Sequence, residues 1–354
     1  MFSRSDSLSP WQRTALTLGL SVAGAALFWA LGLPLPFLFG PMTACLVAAL
    51  LGLPLRGTGQ IGTGARTILG VAVGATLTPA LFAQLPSMLG SVALIPLYIG
   101  LIGLIGVPYF RRICGYDPAT AWYCAMPGGL QDMIVFGAEA GANMRTLSLI
   151  HATRVLIIVT IAPILITQVF GASLDQPMGE PARDLPLSEM AIMVAAALIG
   201  WKGGERIGLF GASILGPLIV TGALSLAGVL HHRPPEEAII VAQFFIGAAI
   251  GVGYTGITLT EIRRDVLAGI GFVLILALLA AFMAEIVHLL GLARPLEAFL
   301  AFAPGGQAEM TVLAIIVGAD LGYVVVHHIL RILLVITGAP IAARLMRVRD
   351  RSPR

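Results

Sequence analysis

Long apolar runs alternate with short polar joins along most of this chain. Candidate spans fall at about 14–32, 36–54, 60–79, 88–110 and 146–169, then at about 187–201, 208–230, 238–258, 266–291 and 321–343. Runs of about 20 mainly apolar residues match the ~30 Å hydrocarbon core of a bilayer, so each predicts a transmembrane helix. Two further apolar stretches, 119–142 and 297–319, are interrupted, the first at Pro127-Gly128-Gly129 and the second at Pro304-Gly305-Gly306. The longest polar join, 171–189, holds Asp175, Pro177, Glu180, Pro181, Arg183, Asp184 and Pro186 and predicts an extended linker.

The interruptions are part of a larger recurrence. After Pro127-Gly128-Gly129 come Asp132, Met133, Gly141, Ala142, His151, Arg154, Thr160 and Pro163. The same pattern returns 177 positions later as Pro304-Gly305-Gly306, Glu309, Met310, Gly318, Ala319, His328, Arg331, Thr337 and Pro340. Upstream, Gly40-Pro41 answers Gly216-Pro217 at an offset of 176, and Gly70/Gly74 answer Gly247/Gly251 at 177. A pattern kept twice in order predicts two copies of one unit. The expected division is a first repeat at 1–170, a linker at 171–189, a second repeat at 190–347 and a basic cytoplasmic tail at 348–354. The paired glycines have the small-xxx-small spacing that lets helices approach closely, and plain helix packing explains them.

Charge orients the copies. Short cytoplasmic loops are enriched in Lys and Arg. With Arg4 and Arg13 inside, the first copy places Arg56, Arg111 and Arg112 inside as well. A second copy in the same orientation would leave Lys202, Arg206, Arg263 and Arg264 outside; an inverted one brings all four in and misplaces only Arg233 and Arg294. Arg344, Arg347, Arg349, Arg351 and Arg354 put the C-terminus inside. Both termini inside with inverted copies requires an odd number of crossings per copy, which five spans plus one re-entrant hairpin satisfy and six spans do not. The expected fold is therefore an all-α polytopic membrane protein. It consists of two inverted repeats of about five transmembrane helices, each with a Pro-Gly-Gly re-entrant hairpin or broken helix, in the bacterial cytoplasmic (inner) membrane.

Composition removes several function classes. The chain is 58% hydrophobic and 11% charged, against about a quarter charged in soluble domains. Its net charge of +3 is scattered over loops, so no nucleic-acid partner is expected. Cys45, Cys114 and Cys124 form no CxxC, Glu285 and His288 make a single ExxH where a di-iron bundle needs two, and His231-His232 lies at a loop. No metal site, no cofactor beyond a coupling Na⁺ or H⁺, and no enzymatic activity are expected. The predicted partners are the lipid bilayer and a small-molecule solute, with homo-oligomerisation left open.

The chemistry gathers at the interruptions. Non-helical backbone at membrane depth is tolerated only where it is buried in protein or lines a cavity, and glycine admits close approach of a ligand. The helix that restarts after each break points its N-terminal amides at it, which favours anionic groups. Candidate binding residues are Pro127, Gly128, Gly129 and Gln131 at one break and Pro304, Gly305, Gly306 and Gln307 at the other, with His151, Arg154, His328 and Arg331 on the following helices. Asp132 and Glu309 have two readings: first-turn caps of the restarting helix, or carriers of the coupling ion. Arg154 and Arg331 are expected either to pair with Asp132 and Glu309, or with Glu139 and Asp320, or to touch solute directly.

The doubled order Gly-Pro, GxxxG, Pro-Gly-Gly, Asp/Glu-Met, His-x-x-Arg and Ala-Pro resembles the AbrB-type duplicated bacterial integral membrane family over about residues 14–345. The resemblance implies labels of ammonia monooxygenase or AbrB-family regulator of gene expression. Neither label follows from the residues. More distantly, inverted copies with Gly-Gly tips look like elevator-type carriers. The leading expectation is an H⁺- or Na⁺-coupled secondary transporter of a small polar or anionic solute, with alternating access around the paired broken helices. The alternatives are a membrane-embedded oxidoreductase and a membrane protein that acts on gene regulation through a partner. Cysteines substituted for Lys202 and Arg263 should be labelled from the cytoplasmic side; periplasmic labelling of both would remove the inverted arrangement.

Overall fold

The computed structural model describes residues 8–346 and 348 except Pro34, Asp175, Gln176, Met178 and Phe210; the side chains of Phe82, Gln131 and Asp132 also lie outside the described set. The described residues are helical throughout, with no strand among them. In chain order the helices are α1 (Pro10–Ala30), α2 (Pro36–Leu50), α3 (Gln60–Gly74), α4 (Pro79–Val92), α5 (Leu94–Pro108), α6 (Pro118–Ala125), α7 (Leu130–Glu139) and α8 (Met144–Gln168). They continue as α9 (Leu187–Arg206), α10 (Ala212–Leu226), α11 (Glu236–Val252), α12 (Leu259–Glu261), α13 (Leu267–Leu289), α14 (Pro295–Phe302), α15 (Gln307–Ile316) and α16 (Leu321–Leu345). Single π turns, Tyr109–Ile113 and Ile262–Val266, follow α5 and precede α13.

Among the described residues, five helical stretches are long and apolar enough to cross a membrane: Pro10–Ala30, Ala83–Ile113, Met144–Gln168, Leu259–Leu289 and Leu321–Leu345. The protein is thus a multi-pass helical membrane protein. Each expected span overlaps a helix, and each interrupted stretch becomes an eight-residue helix, a break and a ten-residue helix. At 1.5 Å per residue the two pieces are about 12 and 15 Å long, so neither crosses a ~30 Å core alone.

The helix ends explain several motif positions. Asn143 caps α8 by accepting the Thr146 N–H at 3.1 Å, and Asp320 caps α16 by accepting from Tyr323 at 3.0 Å. Just before them, α7 and α15 stop at Gly141 and Gly318, which have φ of +85° and +66°. Ala142 and Ala319 then donate back to the carbonyls of Gly137 (2.8 Å) and Ala314 (3.0 Å). This is the Schellman ending, which requires a left-handed residue that glycine supplies without strain. Thr160 and Thr337 are self-satisfied, each donating to a carbonyl four residues back at 2.7 Å.

The chain forms two compact units, and they cut across the sequence division at 171–189. One takes the chain up to Ala83 with Leu174–Ile257; the other takes Gln84–Ser173 with the chain from Thr258 on. Each unit therefore draws on both halves of the sequence.

The first unit is built on helix crossings at glycine. Gly24 of α1 and Gly40 of α2 lie so close that a methyl on either would meet the other's carbonyl, and Gly200 of α9 and Gly216 of α10 repeat the arrangement. Gly247 and Gly251 of α11 rest on the Leu38 and Met42 carbonyls of α2, while Gly70 and Gly74 of α3 rest on those of Ile214 and Leu218 in α10. The two short apolar helices α2 and α10 are thus each gripped from two sides by backbone. Without a hydrophobic driving force inside lipid, such close approach supplies the association through van der Waals contact. The linker is tied to the same unit: Glu236 donates its N–H to the Glu180 carbonyl at 3.0 Å, and Ala182 donates to the Glu237 carboxylate at 3.0 Å.

Gly216→Ala should lower stability by about 1–3 kcal/mol, because the methyl collides with backbone that cannot turn aside. Gly19→Ala, in open space on α1, should raise it by about 0.5–1 kcal/mol. Unfolding in one detergent distinguishes the two; equal effects would contradict the crossing geometry.

Candidate functional site

Both interrupted stretches lie in the second unit. In the first, His151 Nε2 on α8 bonds the Tyr123 carbonyl of α6 at 3.0 Å, and one turn later Arg154 Nη2 donates to the Gly128 carbonyl at 2.7 Å. Contacts that advance together along both segments mean that α6 runs parallel to α8. From the break beside Arg154 the chain must return to Met144, ten residues earlier on α8 and about 15 Å away. The ten residues of α7 supply that length. Asn143 then donates its N–H to Thr120 Oγ1 at 2.8 Å, closing the base between the start of α6 and the end of α7. The stretch is a hairpin.

The second stretch has the same construction 177 residues later. His328 Nε2 bonds the Leu300 carbonyl at 2.9 Å, and Arg331 donates Nη1 to Ala303 at 2.7 Å and Nη2 to Gly305 at 2.8 Å. Here α15 is the return leg, ten residues from the break to Leu321. Arg331 Nη2 also donates to His328 Nδ1 at 3.0 Å, which leaves Nε2 as the protonated ring nitrogen facing Leu300. Each tip lies about 15 Å along a 25-residue helix, roughly half the ~30 Å hydrocarbon depth.

The glycines of the breaks have specific neighbours. A Cβ on Gly128 would come within 2.5 Å of Met133, and one on Gly305 within 2.6 Å of Met310. Both methionines are fully buried and fold back across their own break. A Cβ on Gly306 would strike Glu309 Oε2. The carboxylate of Glu309 therefore lies against the first residue before α15, the position an N3 acid takes when it reaches back to the cap. Gln131 and Asp132 are the second and third residues of α7, and their side chains lie outside the described set.

The two tips gather in one region of the unit. Arg154 lies within Coulombic range of Arg331 and Glu309. Tyr98, buried on α5, donates to the Phe302 carbonyl at 2.9 Å and lies within Coulombic range of both arginines. Trp122 Nε1 on α6 donates to the Ala339 carbonyl of α16 at 3.2 Å.

Of the carboxylates expected to pair with the arginines, Asp132 has its side chain outside the described residues, Glu309 interacts electrostatically with Arg154, and Glu139 and Asp320 are exposed, with Asp320 engaged as the cap of α16. Among the described residues, Arg154 and Arg331 donate to carbonyls of the breaks, and Arg331 also to His328 Nδ1; a broken helix exposes acceptors that lipid cannot satisfy. The two stretches also differ from each other. Among the described residues Arg331 makes three hydrogen bonds and keeps Nε without a partner, whereas Arg154 makes one and keeps Nε and Nη1 without a partner.

Sequence reasoning passed over Tyr98 and Asp265. Tyr98 is a lone tyrosine in an apolar run, which reads as core. Asp265 follows Arg263-Arg264 and reads as loop charge, yet it is buried; Tyr116 Oη donates to it at 2.8 Å, and Arg264 Nε lies 3.3 Å away.

A family model described as "Transition state regulatory protein AbrB" matches residues 37–347. The chain is similar to the "Uncharacterized protein YhjN" of Bacillus subtilis (strain 168), 27% identical over 79% of this chain and 77% of that protein. It is also similar to the "Putative regulator AbrB" of Escherichia coli (strain K12), 24% identical over 93% of this chain and 94% of that protein.

Replacing Arg331 by Leu leaves two buried carbonyls unsatisfied and should cost about 2–5 kcal/mol, while Arg154→Leu leaves one and should cost about 1–3 kcal/mol. Thermal unfolding in a single detergent ranks the two. A larger loss at Arg154 would contradict the hydrogen-bond assignment.

Proposed function

The chain belongs to the AbrB family, and for this member we propose a secondary active transporter of a small polar or anionic solute, coupled to H⁺ or Na⁺. The observation that carries this reading is the convergence of two hairpin tips, each held by a buried arginine at about half the depth of a bilayer. Interrupted backbone at that depth, with helix N-termini facing it, is the arrangement secondary carriers use to bind solute and ion.

The same reading takes the two halves as inverted copies of one unit. Three observations support it. The His–carbonyl and Arg–carbonyl bonds recur at one offset: 151 to 123 and 154 to 128 in one half, 328 to 300 and 331 to 305 in the other. The N-caps Asn143 and Asp320 recur at the same offset. Trp122 lies on the side of the Arg154 tip toward the start of α8, and its partner Ala339 lies beyond Arg331 toward the end of α16, as antiparallel α8 and α16 require. With the arginine-rich loops inside, both termini are cytoplasmic and the protein resides in the inner membrane.

Pro127, Gly128, Gly129 and Gln131 with Pro304, Gly305, Gly306 and Gln307 line the solute site in this proposal. His151, Arg154, His328 and Arg331 shape it, and Asp132 and Glu309 carry the coupling ion. The names of the family and of its Escherichia coli relative favour a second reading, a membrane protein that acts on regulation through a partner. Reproducible capture of a cytoplasmic regulator without any flux would select that one.

In liposomes under an imposed H⁺ or Na⁺ gradient, the purified protein should accumulate a solute from a broad metabolite panel. Asp132→Asn with Glu309→Gln should abolish gradient-driven uptake while leaving the fold intact. Unchanged flux in this pair would make both acids caps only.

A further inference from the structure

Arg154 and Arg331 occupy corresponding positions but are bonded differently, and the difference marks a binding group. Arg331 is committed: Nη1 and Nη2 hold the Ala303 and Gly305 carbonyls, and Nη2 is shared with His328. Arg154 holds one carbonyl and keeps Nε and Nη1 buried without a partner, with the side chain 3% exposed. His151 likewise keeps Nδ1 unpartnered, so the His–Arg bond present in one half is absent from the other.

Among the described side chains, the unpartnered polar atoms beside the breaks are mainly donors. They are Nε and Nη1 of Arg154, Nε of Arg331 and Nε2 of Gln307, which is 7% exposed. An arginine has donors and no acceptor, so its assignment does not depend on a tautomer or an amide flip. Stranded buried donors on a charged group cost more than neutral ones, and a ligand that accepts from them recovers that cost. The amides at the start of α7 lie at the same tip as Arg154, and its N-cap Gly129 has no side chain with which to bond them. At the other tip the Glu309 carboxylate lies against Gly306, and the side chain of Asp132, which holds the matching place in α7, lies outside the described residues.

We propose that Arg154, with the N-terminus of α7, binds an oxoanion group of the solute (a carboxylate or a phosphate), and that Arg331 is its structural counterpart. The proposal deepens the transport reading and rests on it for the identity of the ligand as transported solute. Binding itself is independent of flux. A planar guanidinium with a free edge suits either oxoanion, since both present several acceptors to parallel N–H groups.

The test uses the full chain purified in detergent, at constant chloride-balanced ionic strength. Thermal unfolding and calorimetric titration are run with succinate, benzoate, inorganic phosphate, neutral succinamide and choline. At least one oxoanion should stabilise the wild type and the last two should not; the succinate, benzoate and phosphate arms separate carboxylate from phosphate. Arg154→Gln should weaken that binding about 10-fold or more, and Arg154→Lys should restore part of it. Because Arg154→Gln also loosens the Gly128 carbonyl, Gln307→Met is the second variant. It removes an unpartnered amide at similar volume, so the ligand-free protein should unfold no earlier than wild type while oxoanion affinity falls several-fold. No stabilisation by any of the three oxoanions, or equal stabilisation of wild type and Arg154→Gln, overturns the proposal. Oxoanion binding at Arg154 without liposome uptake would retain the site and reject the carrier; uptake of a neutral or cationic solute without oxoanion binding would do the reverse.

Discussion

The hairpin unit depends on a single type of contact, a buried arginine donating to main-chain carbonyls of an interrupted helix. Inside lipid a helix satisfies its own backbone, and a break leaves acceptors that water cannot reach. Arg331 answers two of them and Arg154 answers one. The histidine one turn earlier holds a third segment of backbone, the last turn or so of the incoming short helix. Without these donors the Pro-Gly-Gly tips would have no reason to stay at depth. With them, an eight-residue and a ten-residue helix, each too short to span, become a defined hairpin.

The first unit solves a different problem by a different means. Its short apolar helices α2 and α10 carry few polar groups, with Cys45 bonded to Ser21 and Ser225 to the Ala75 carbonyl. Their attachment comes from backbone lying on backbone at glycine, where the absence of a side chain brings many weak dispersion contacts into range. Hydrogen bonds thus organise the unit that contains the breaks, and close packing organises the other.

Much of this was legible in the sequence, for physical reasons. Apolar run length reports helix length, so the five long membrane-crossing helices were readable from hydropathy, whereas the stretches at 36–54, 60–79, 208–230 and 238–258 fold as helices of 15 to 17 residues. The breaks were readable because Pro-Gly-Gly interrupts a helix in any context. The recurring Met133/Met310 and Gly141/Gly318 were visible as matches, and the structure supplies their roles: a side chain folded over a glycine, and a left-handed helix ending. What was not legible is what depends on distance. Arginine in an apolar run predicts a partner, and acids nearby made a carboxylate the natural expectation, but a carbonyl carries no signature in sequence. The unequal bonding of Arg154 and Arg331 was hidden for the same reason, since both stand in identical motifs. Asp265 and Tyr98 were hidden by their neighbours, one beside two arginines and one among aliphatic residues. The interleaved compact units were out of reach because they join segments more than eighty residues apart.

The choice of carbonyls has a further consequence. A peptide oxygen does not titrate, and an arginine stays protonated at any physiological pH. An anchor made from these two groups keeps the same strength in an acidified compartment as in a neutral one. An ion pair with a carboxylate would not, because protonation would dissolve it. The arginine–carbonyl contacts at the tips are therefore blind to proton concentration, and a response to protons falls to the titratable groups beside them, the histidines and the acids.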